Sequence, residues 1–247
     1  MDSNTKATND YDPSAYWRAG NFNASARLHL QYLLCQNTLG FLLENHIEQS
    51  IPTFPTTTYS KSPTLLVPLP QHLIGAYDVV HVRAFVSLVL NEDTTPLLST
   101  VLAFLKPGVW LQWEEFNPDI LIEPAVPSVQ KTACEALAQS LQTSHKSTGL
   151  CFDFLANLDQ YPINHGFQNV HMFETVNCKQ DFKSWTDNFL MVWEQIIPHL
   201  PSKITKPQAS ITREFWIETF SKAIEETEKG VALHPHAIIT AVGRKPI

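Results

Sequence analysis

Glycine is the residue that most restricts what this chain can fold into. Eight of 247 residues are glycine, about 3% against a usual share of about 7%, and no two of them lie within ten residues of each other. Loops that hold phosphates or nucleotides need closely spaced glycines, because the backbone must approach the ligand there. The sequence therefore excludes a G-x-G-x-x-G loop and a Walker phosphate loop. It also lacks a G-x-S-x-G nucleophile elbow and an H-E-x-x-H zinc helix.

The composition predicts a folded, soluble protein. Apolar residues make up 44% of the chain and aromatic residues 11%, which excludes a disordered or fibrous chain. The net charge of −7 argues against nucleic-acid binding, because contacts with phosphates need a basic surface. We find no apolar run long enough to span a membrane and no signal-peptide pattern. We therefore expect a cytoplasmic protein that binds neither nucleic acid nor membrane.

Neither cysteines nor histidines show the spacing of a metal site. The four cysteines contain no C-x-x-C pair, which argues against a disulfide framework and against structural zinc. His234 and His236 would share one face of a strand, as two metal ligands do, but the sequence offers no third ligand beside them. We therefore expect no metal site.

Helix and strand patterns alternate along the chain, which predicts an α/β fold with a mainly parallel sheet and helices on both faces. Residues 212–229 are predicted to form an amphipathic helix and residues 232–244 a terminal strand, where antiparallel pairing stays open. We expect a disordered tail over residues 1–15 and a single domain over residues 16–247. Five prolines interrupt residues 51–70, which we interpret as an irregular connector. Residues 124–160 are predicted to form a helical insertion that covers a small-molecule pocket.

Polar side chains gather where two predicted strands end. His81 and Arg83 close the first central strand, and Glu114 and Glu115 close the second. Ligands of open α/β sheets bind at the carboxyl ends of the strands, so we expect the site there. A histidine beside a glutamate can act as a general base or orient a hydroxyl group. The alternative, a structural histidine and an arginine paired with a nearby carboxylate, stays open.

Two tryptophans are candidates for the apolar wall of such a pocket. Trp113 precedes Glu114 on the second strand. Trp185 lies on a helix predicted over Asp181–Leu200, on which Phe189 and Trp193 follow at spacings of four residues. This spacing is equally typical of residues that pack in a core.

Several motifs together resemble the fungal class I S-adenosylmethionine (SAM)-dependent methyltransferases. In that family a Y/F-D-x-V-H-x-R strand is followed by a helix, by L-K-P-G-G and by a strand that ends in L-Q-W-x-E. The chain has Tyr77-Asp-Val-Val-His-Val-Arg83, then Leu105-Lys-Pro-Gly108, then Leu111-Gln-Trp-Glu114. Further matching segments are Asn23-Ala-Ser-Ala-Arg27, Trp185-Thr-Asp-Asn188 and Val242-Gly-Arg-Lys245. The similarity covers most of residues 16–46 and 73–246.

The resemblance implies a Rossmann-like methyltransferase fold and methyl transfer from SAM to a natural product of fungal secondary metabolism. It also implies weak contact of Arg27 and Gln31 with the amino-acid end of SAM. One part of the family pattern is missing. The family has a strand ending in G-x-G-x-G and a second strand ending in a ribose-binding acid, but here Ile47–Ala76 contains one glycine, Gly75. Either the gene has lost this segment, or the translated sequence omits an exon that encodes it.

We therefore expect a truncated methyltransferase fold that keeps equivalents of the fourth and fifth strands and of the carboxyl-terminal pair. We also expect weak or no SAM binding. Three functional classes stay open: methyl transfer with His81 or Glu114 removing a proton, a SAM-independent cyclase or isomerase that uses the retained pocket, and a non-catalytic partner of an intact methyltransferase. In the first two classes the ligand is a small molecule.

The missing strands also predict an unprotected sheet edge. Strand 77–82 would expose unpaired backbone groups, which proteins avoid by covering or pairing such an edge. The low charged fraction of 17% favours cover by a second subunit. We therefore expect a homodimer or a complex with a homologue. Cover by a strand at Thr64–Val67 is the alternative.

Overall fold

The computed structural model describes residues 22–50, 70–209 and 211–247, without the side chains of Phe22 and Ser147. The helices in these ranges are α1 Phe22–Leu39, α2 Asn45–Ser50, α3 Thr95–Phe104, α4 Thr132–Ser147, α5 Gln160–Asn164, α6 Phe182–Ile196 and α7 Arg213–Glu228. The strands are β1 Tyr77–Arg83, β2 Leu105–Phe116, β3 Leu121–Pro124, β4 Gln168–Val176, β5 Val231–His234 and β6 Ala237–Arg244. None of these helices is long and apolar enough to cross a bilayer. The predicted tail, residues 51–69 of the predicted connector and the predicted strand at Thr64–Val67 lie outside the described residues.

The chain divides into two compact units. The first consists of Met1–Cys35, as far as it is described, with Asp119–Gly149 and Asn177–Pro235. The second consists of Gln36–Pro118, Leu150–Val176 and His236–Ile247. The predicted helical insertion over 124–160 is shared between them, since α4 lies in the first unit and α5 in the second. One domain over residues 16–247 stays a prediction.

The second unit contains a four-stranded sheet with the order β1-β2-β6-β4. Strands β1 and β2 are parallel, whereas β6 pairs antiparallel with both of its neighbours. This arrangement confirms the α/β class and the four strands that the motifs predicted. The sheet is mixed rather than mainly parallel, because β1 and β2 are the only parallel pair in the described ranges. Strand β1 is one end of the sheet as described.

The pairing register fixes which side chains share a face of this sheet. We call one face the site face. One row across it consists of His81, Gln112, Val242 and His171. The next row along it consists of Arg83, Glu114, Thr240 and Phe173. Four polar residues of β1 and β2 thus lie side by side.

The opposite face, the core face, is apolar. Val82, Leu111 and Trp113 belong to the buried core on this face, together with Leu98 of α3 and Phe154. The Trp113 and Phe154 ring centroids lie 6.4 Å apart. Leu98 and Leu111 are fully buried, and complete burial of such a side chain stabilises the fold by about 1.5–3 kcal/mol. This core determines which face of β2 is left for polar residues.

The first unit is built from most of α1, from helices α4, α6 and α7 and from an antiparallel β3–β5 pair. Tryptophans dominate its core: Trp185, Trp193 and Trp216 are at most 1% exposed. The indole N–H of Trp216 donates to the backbone oxygen of Trp193 over 2.9 Å, so this buried polar group is paired. The hydroxyl oxygen of Thr212 caps α7 by accepting from the N–H of Phe215. The aromatic series of the predicted helix therefore packs as a core.

Candidate functional site

A buried carboxylate joins the two central strands of the second unit. Oε2 of Glu114 lies 2.9 Å from Nε2 of His81 and 2.5 Å from Nε of Arg83. Oε1 accepts a hydrogen bond of 2.5 Å from Nε2 of Gln112. Burial would raise the pKa of Glu114, but the hydrogen bond and charge of His81 and the adjacent Arg83 outweigh burial and lower it. Glu114 is therefore held as a carboxylate although it is 1% exposed.

His81 is the member of this group that solvent can reach, since its side chain is 22% exposed. Its buried Nε2 lies 2.9 Å from Oε2 of Glu114, which is an ion-pair distance, without the alignment of a regular hydrogen bond. A carboxylate at one ring nitrogen favours the tautomer that carries the proton there. The Nδ1 lone pair is then left to accept a proton, and the carboxylate stabilises the imidazolium that forms. The geometry therefore fits a general base with its orienting partner.

Gln112 is a component of this site that the sequence analysis did not identify. Its side chain is fully buried. Besides its bond to Glu114, its amide donates to the backbone oxygen of Leu42 over 3.0 Å and accepts from the backbone N–H of Glu44 over 2.7 Å. The available signal was the spacing of two residues in the L-Q-W-E motif, which places Gln112 and Glu114 on one face of a strand. Gln112 thus fixes the segment before α2 on the site face.

Glu115 and Trp113 lie on the core face, away from His81 and Glu114. The Glu115 carboxylate accepts from the backbone N–H groups of Phe85 and Val86 at 2.8 and 3.1 Å and from Nε1 of Trp113 at 2.7 Å. We therefore correct the predicted grouping, because neighbouring residues of a strand point to opposite faces. Glu115 holds the loop after β1. Burial raises the pKa of Glu115 to about 7; the three N–H donors lower it by less, and the charge of Glu114 adds to the rise.

Replacing Glu115 by glutamine is expected to change how the free energy of unfolding depends on pH. The folded-state pKa of about 7 lies above the ordinary 4.5, so between these values the folded state holds a proton that the unfolded state releases. The contribution of protonated Glu115 to the free energy of unfolding is therefore complete below pH 4.5 and is lost as the pH rises to 7. The total loss is about 3 kcal/mol.

Urea unfolding at about pH 5 and about pH 7.5 measures this change. The stability of the wild type relative to E115Q should be greater at the lower pH. E48Q, which replaces an exposed glutamate of α2, controls for the loss of a carboxylate. If wild type and E115Q differ in the free energy of unfolding by the same amount at both pH values, the raised pKa of Glu115 is contradicted.

The remaining predicted residues belong to the first unit. Arg27 and Gln31 are 2% and 8% exposed. Nη1 of Arg27 donates to Oε1 of Gln31 over 3.1 Å, and its Nε donates to Oε1 of Gln195 over 3.0 Å. Trp185 is fully buried, with its ring centroid 6.1 Å from that of Phe189. These residues are engaged inside their own unit, since each is buried among its neighbours.

The residues that the structure describes do not fit SAM. The two side chains predicted to contact it are buried and hydrogen-bonded to protein groups. Within the ranges that the structure covers, no strand precedes β1. Gly75, the one glycine of the interval Ile47–Ala76, lies two residues before the start of β1. A glycine loop that follows a strand is what lets backbone amides approach such a cofactor, so no step below passes through SAM.

Among the curated proteins that match the chain are two fungal methyltransferases. Methyltransferase grgD of a Penicillium species is 40% identical over 121 residues, which are 48% of this chain and 41% of grgD. Methyltransferase psoC of Aspergillus fumigatus is 36% identical over 50 residues, 20% of this chain and 18% of psoC. The matches thus span less than half the length of these relatives. No protein-family model matches the chain.

Solved structures with partial likeness include both methyltransferases and a cyclase. Haemonchus contortus phosphoethanolamine N-methyltransferase 2 matches with a TM-score of 0.34 and 13% identity, over 70% of this chain and 34% of that one. The (4+2)-cyclase SpnF matches with a TM-score of 0.33 and 14% identity, over 74% and 53%. Scores this low do not establish a shared fold. The curated matches do confirm the resemblance that the motifs indicate: over the matched part, this chain is a relative of fungal methyltransferases.

Proposed function

We propose that the chain is a small-molecule tailoring enzyme of fungal secondary metabolism that removes a proton from its substrate through His81. The observation that carries this proposal is the contact between the partly exposed imidazole of His81 and the buried, ionised carboxylate of Glu114. The relationship to grgD and psoC, which are both named as methyltransferases, supports an enzyme. The substrate itself is not specified by the chain.

The proposed step uses residues of the site face. Nδ1 of His81 takes a proton from a hydroxyl, an amine or an activated C–H group of the substrate. Glu114 holds the ring in place and stabilises the imidazolium, so it is a positioning residue and not the base. Arg83 and Gln112 keep the carboxylate ionised and fixed. A positioned base of this kind accelerates a reaction about 10²–10⁴-fold.

Two reaction types can follow from this proton transfer. Methyl transfer is the activity in the names of the relatives, and it would need a methyl donor that the described residues do not fit. A SAM-independent cyclisation or isomerisation needs only the proton transfer, a shaped site and a few hydrogen bonds. The poor fit to SAM is the observation that favours this second candidate.

An assay against a panel of phenols, polyketides and terpenoids separates the two candidates. Each compound is incubated with the purified protein, with and without SAM, and the products are analysed by mass spectrometry. A product of unchanged mass that forms without SAM supports the cyclase or isomerase. A product that is heavier by one methyl group and forms only with SAM supports methyl transfer. No product in either arm, across the whole panel, would favour the non-catalytic partner.

Assembly into a dimer remains a proposal that rests on the edge position of β1. Backbone groups of a terminal strand are free to pair with another chain, and β1 carries one exposed acidic residue, Asp78, which is engaged by Lys106 at 2.8 Å. We expect light scattering to show a homodimer that buries on the order of 2,000 Å². A monodisperse monomer of 27.9 kDa at micromolar concentration would rule this out. A monomer that dimerises on addition of an intact homologue would support the mixed complex instead.

A further inference from the structure

Three side chains of the kinds that bind metal ions meet at one place in the second unit. Glu44 lies directly before α2, His46 lies in the first turn of α2 and His171 lies on β4. One ligand atom from each lies within 4.8 Å of the other two. Two imidazoles and one carboxylate therefore converge outside the group around Glu114.

The fold holds this cluster from both sides. The backbone N–H of Glu44 is fixed by the buried Gln112. Oε1 of Glu44 lies 2.9 Å from Nδ1 of His46, and Oε2 accepts from the backbone N–H of His46 over 2.9 Å. On the other side, the ring of His171 stacks on Phe173 at 6.3 Å and 20°, and its centroid lies 6.0 Å from that of His46. The three ligands are therefore gathered by contacts that do not depend on a metal ion.

The chemistry of these ligands suits a transition-metal ion. Glu44 offers a carboxylate oxygen, and His46 and His171 each offer an imidazole nitrogen. Nitrogen ligands of this type suit Zn²⁺, Cu²⁺, Ni²⁺ and related ions, whereas Mg²⁺ and Ca²⁺ prefer oxygen ligands only.

We propose that Glu44, His46 and His171 form a binding site for a divalent transition-metal ion, with Zn²⁺ as the best match. Three protein ligands leave at least one coordination position open to water or to a further ligand. Both histidines are exposed, so the ion exchanges with solution. This proposal replaces the expectation that the chain has no metal site, and it does not depend on the proposed function.

A bound ion would tie the segment before α2 to strand β4. His171 lies in the same row of the site face as Gln112 and His81. Gln112 holds the backbone of Leu42 and Glu44 with the same side chain that bonds Glu114. Metal binding therefore fixes the segment to which the candidate base is connected. We expect Zn²⁺ to raise the melting temperature of the full chain, because ligands that bind the folded state stabilise it.

The test is a titration of the full chain, freed of metal by a chelator, with Co²⁺ followed by displacement with Zn²⁺. We expect one ion per chain, with visible Co²⁺ bands of low-coordinate nitrogen and oxygen ligation. H46A and H171A should each weaken Zn²⁺ binding at least about 100-fold, since loss of an outer-shell partner alone costs about 10–100-fold. H72A replaces another exposed histidine of the same unit and should leave the affinity unchanged.

The proposal is overturned if the wild type shows no saturable Co²⁺ or Zn²⁺ binding, or if H171A and H72A bind Zn²⁺ with equal affinity. A strong cobalt–thiolate absorption band would also overturn it, because the ion would then be bound by a cysteine. The side chain of His46 is 74% exposed, so H46A should fold normally. The circular dichroism spectrum of H46A checks that this variant is folded. The Zn²⁺ affinity of H46A then decides the test even if H171A disturbs β4.

Discussion

Replacing His81 by alanine is expected to lower turnover by about 10²–10⁴-fold. The variant removes the one group in the site that combines access to solvent with an orienting carboxylate. Glu114 keeps its partners Arg83 and Gln112, so the buried charge stays compensated and the fold should be retained. The effect should appear mainly in kcat, because the proton is transferred in the transition state.

The design of this experiment follows from the burial of Glu114. Removing the buried carboxylate in E114A would take away the acid that both His81 and Arg83 contact. Breaking such a pair costs about 3–5 kcal/mol, so E114A should fold poorly. H81A is therefore the informative variant, H72A its matched control, and recovery of H81A activity by added imidazole the sign that a base was lost. Unchanged turnover in a well-folded H81A would remove His81 from the mechanism.

Strands and helices with a strong local pattern could be predicted from the sequence. The β-branched run at 77–82 became β1, and the aromatic and amphipathic segments at 181–200 and 212–229 became α6 and α7. Strand β3 was missed, because its four residues show no alternation and its partner β5 is distant in the sequence. The terminal strand predicted over 232–244 is two strands separated at Pro235 and His236. Proline has no backbone N–H to donate to a ladder.

The candidate site could be predicted only in part. The meeting of His81 and Arg83 with Glu114 followed from the rule that parallel strands end at the same edge, and the structure brings these three together. Glu115 fell on the other face because of strand alternation. The cluster at Glu44, His46 and His171 joins segments far apart in the sequence, so no local spacing could have indicated it.

The poor fit of the described residues to SAM leads to the second large expected effect. The interval Ile47–Ala76 holds one glycine, and its one acidic residue, Glu48, lies on α2 and not at the end of a strand, whereas the family resemblance requires closely spaced glycines and a ribose-binding acid after a strand. Each lost interaction of this kind costs about 1–3 kcal/mol when a polar partner is left unmatched. Two of them should weaken SAM binding by roughly two to four orders of magnitude relative to a protein that has both.

Calorimetric titration of the purified full chain with SAM tests the central claim most directly, because it requires no knowledge of the substrate. The Haemonchus contortus phosphoethanolamine N-methyltransferase 2, described in complex with SAM, is the positive control in the same buffer. We predict no saturable heat with this chain up to about 1 mM SAM, which corresponds to a binding free energy weaker than about −4 kcal/mol. A dissociation constant in the micromolar range would contradict the account and would make methyl transfer the function of this chain.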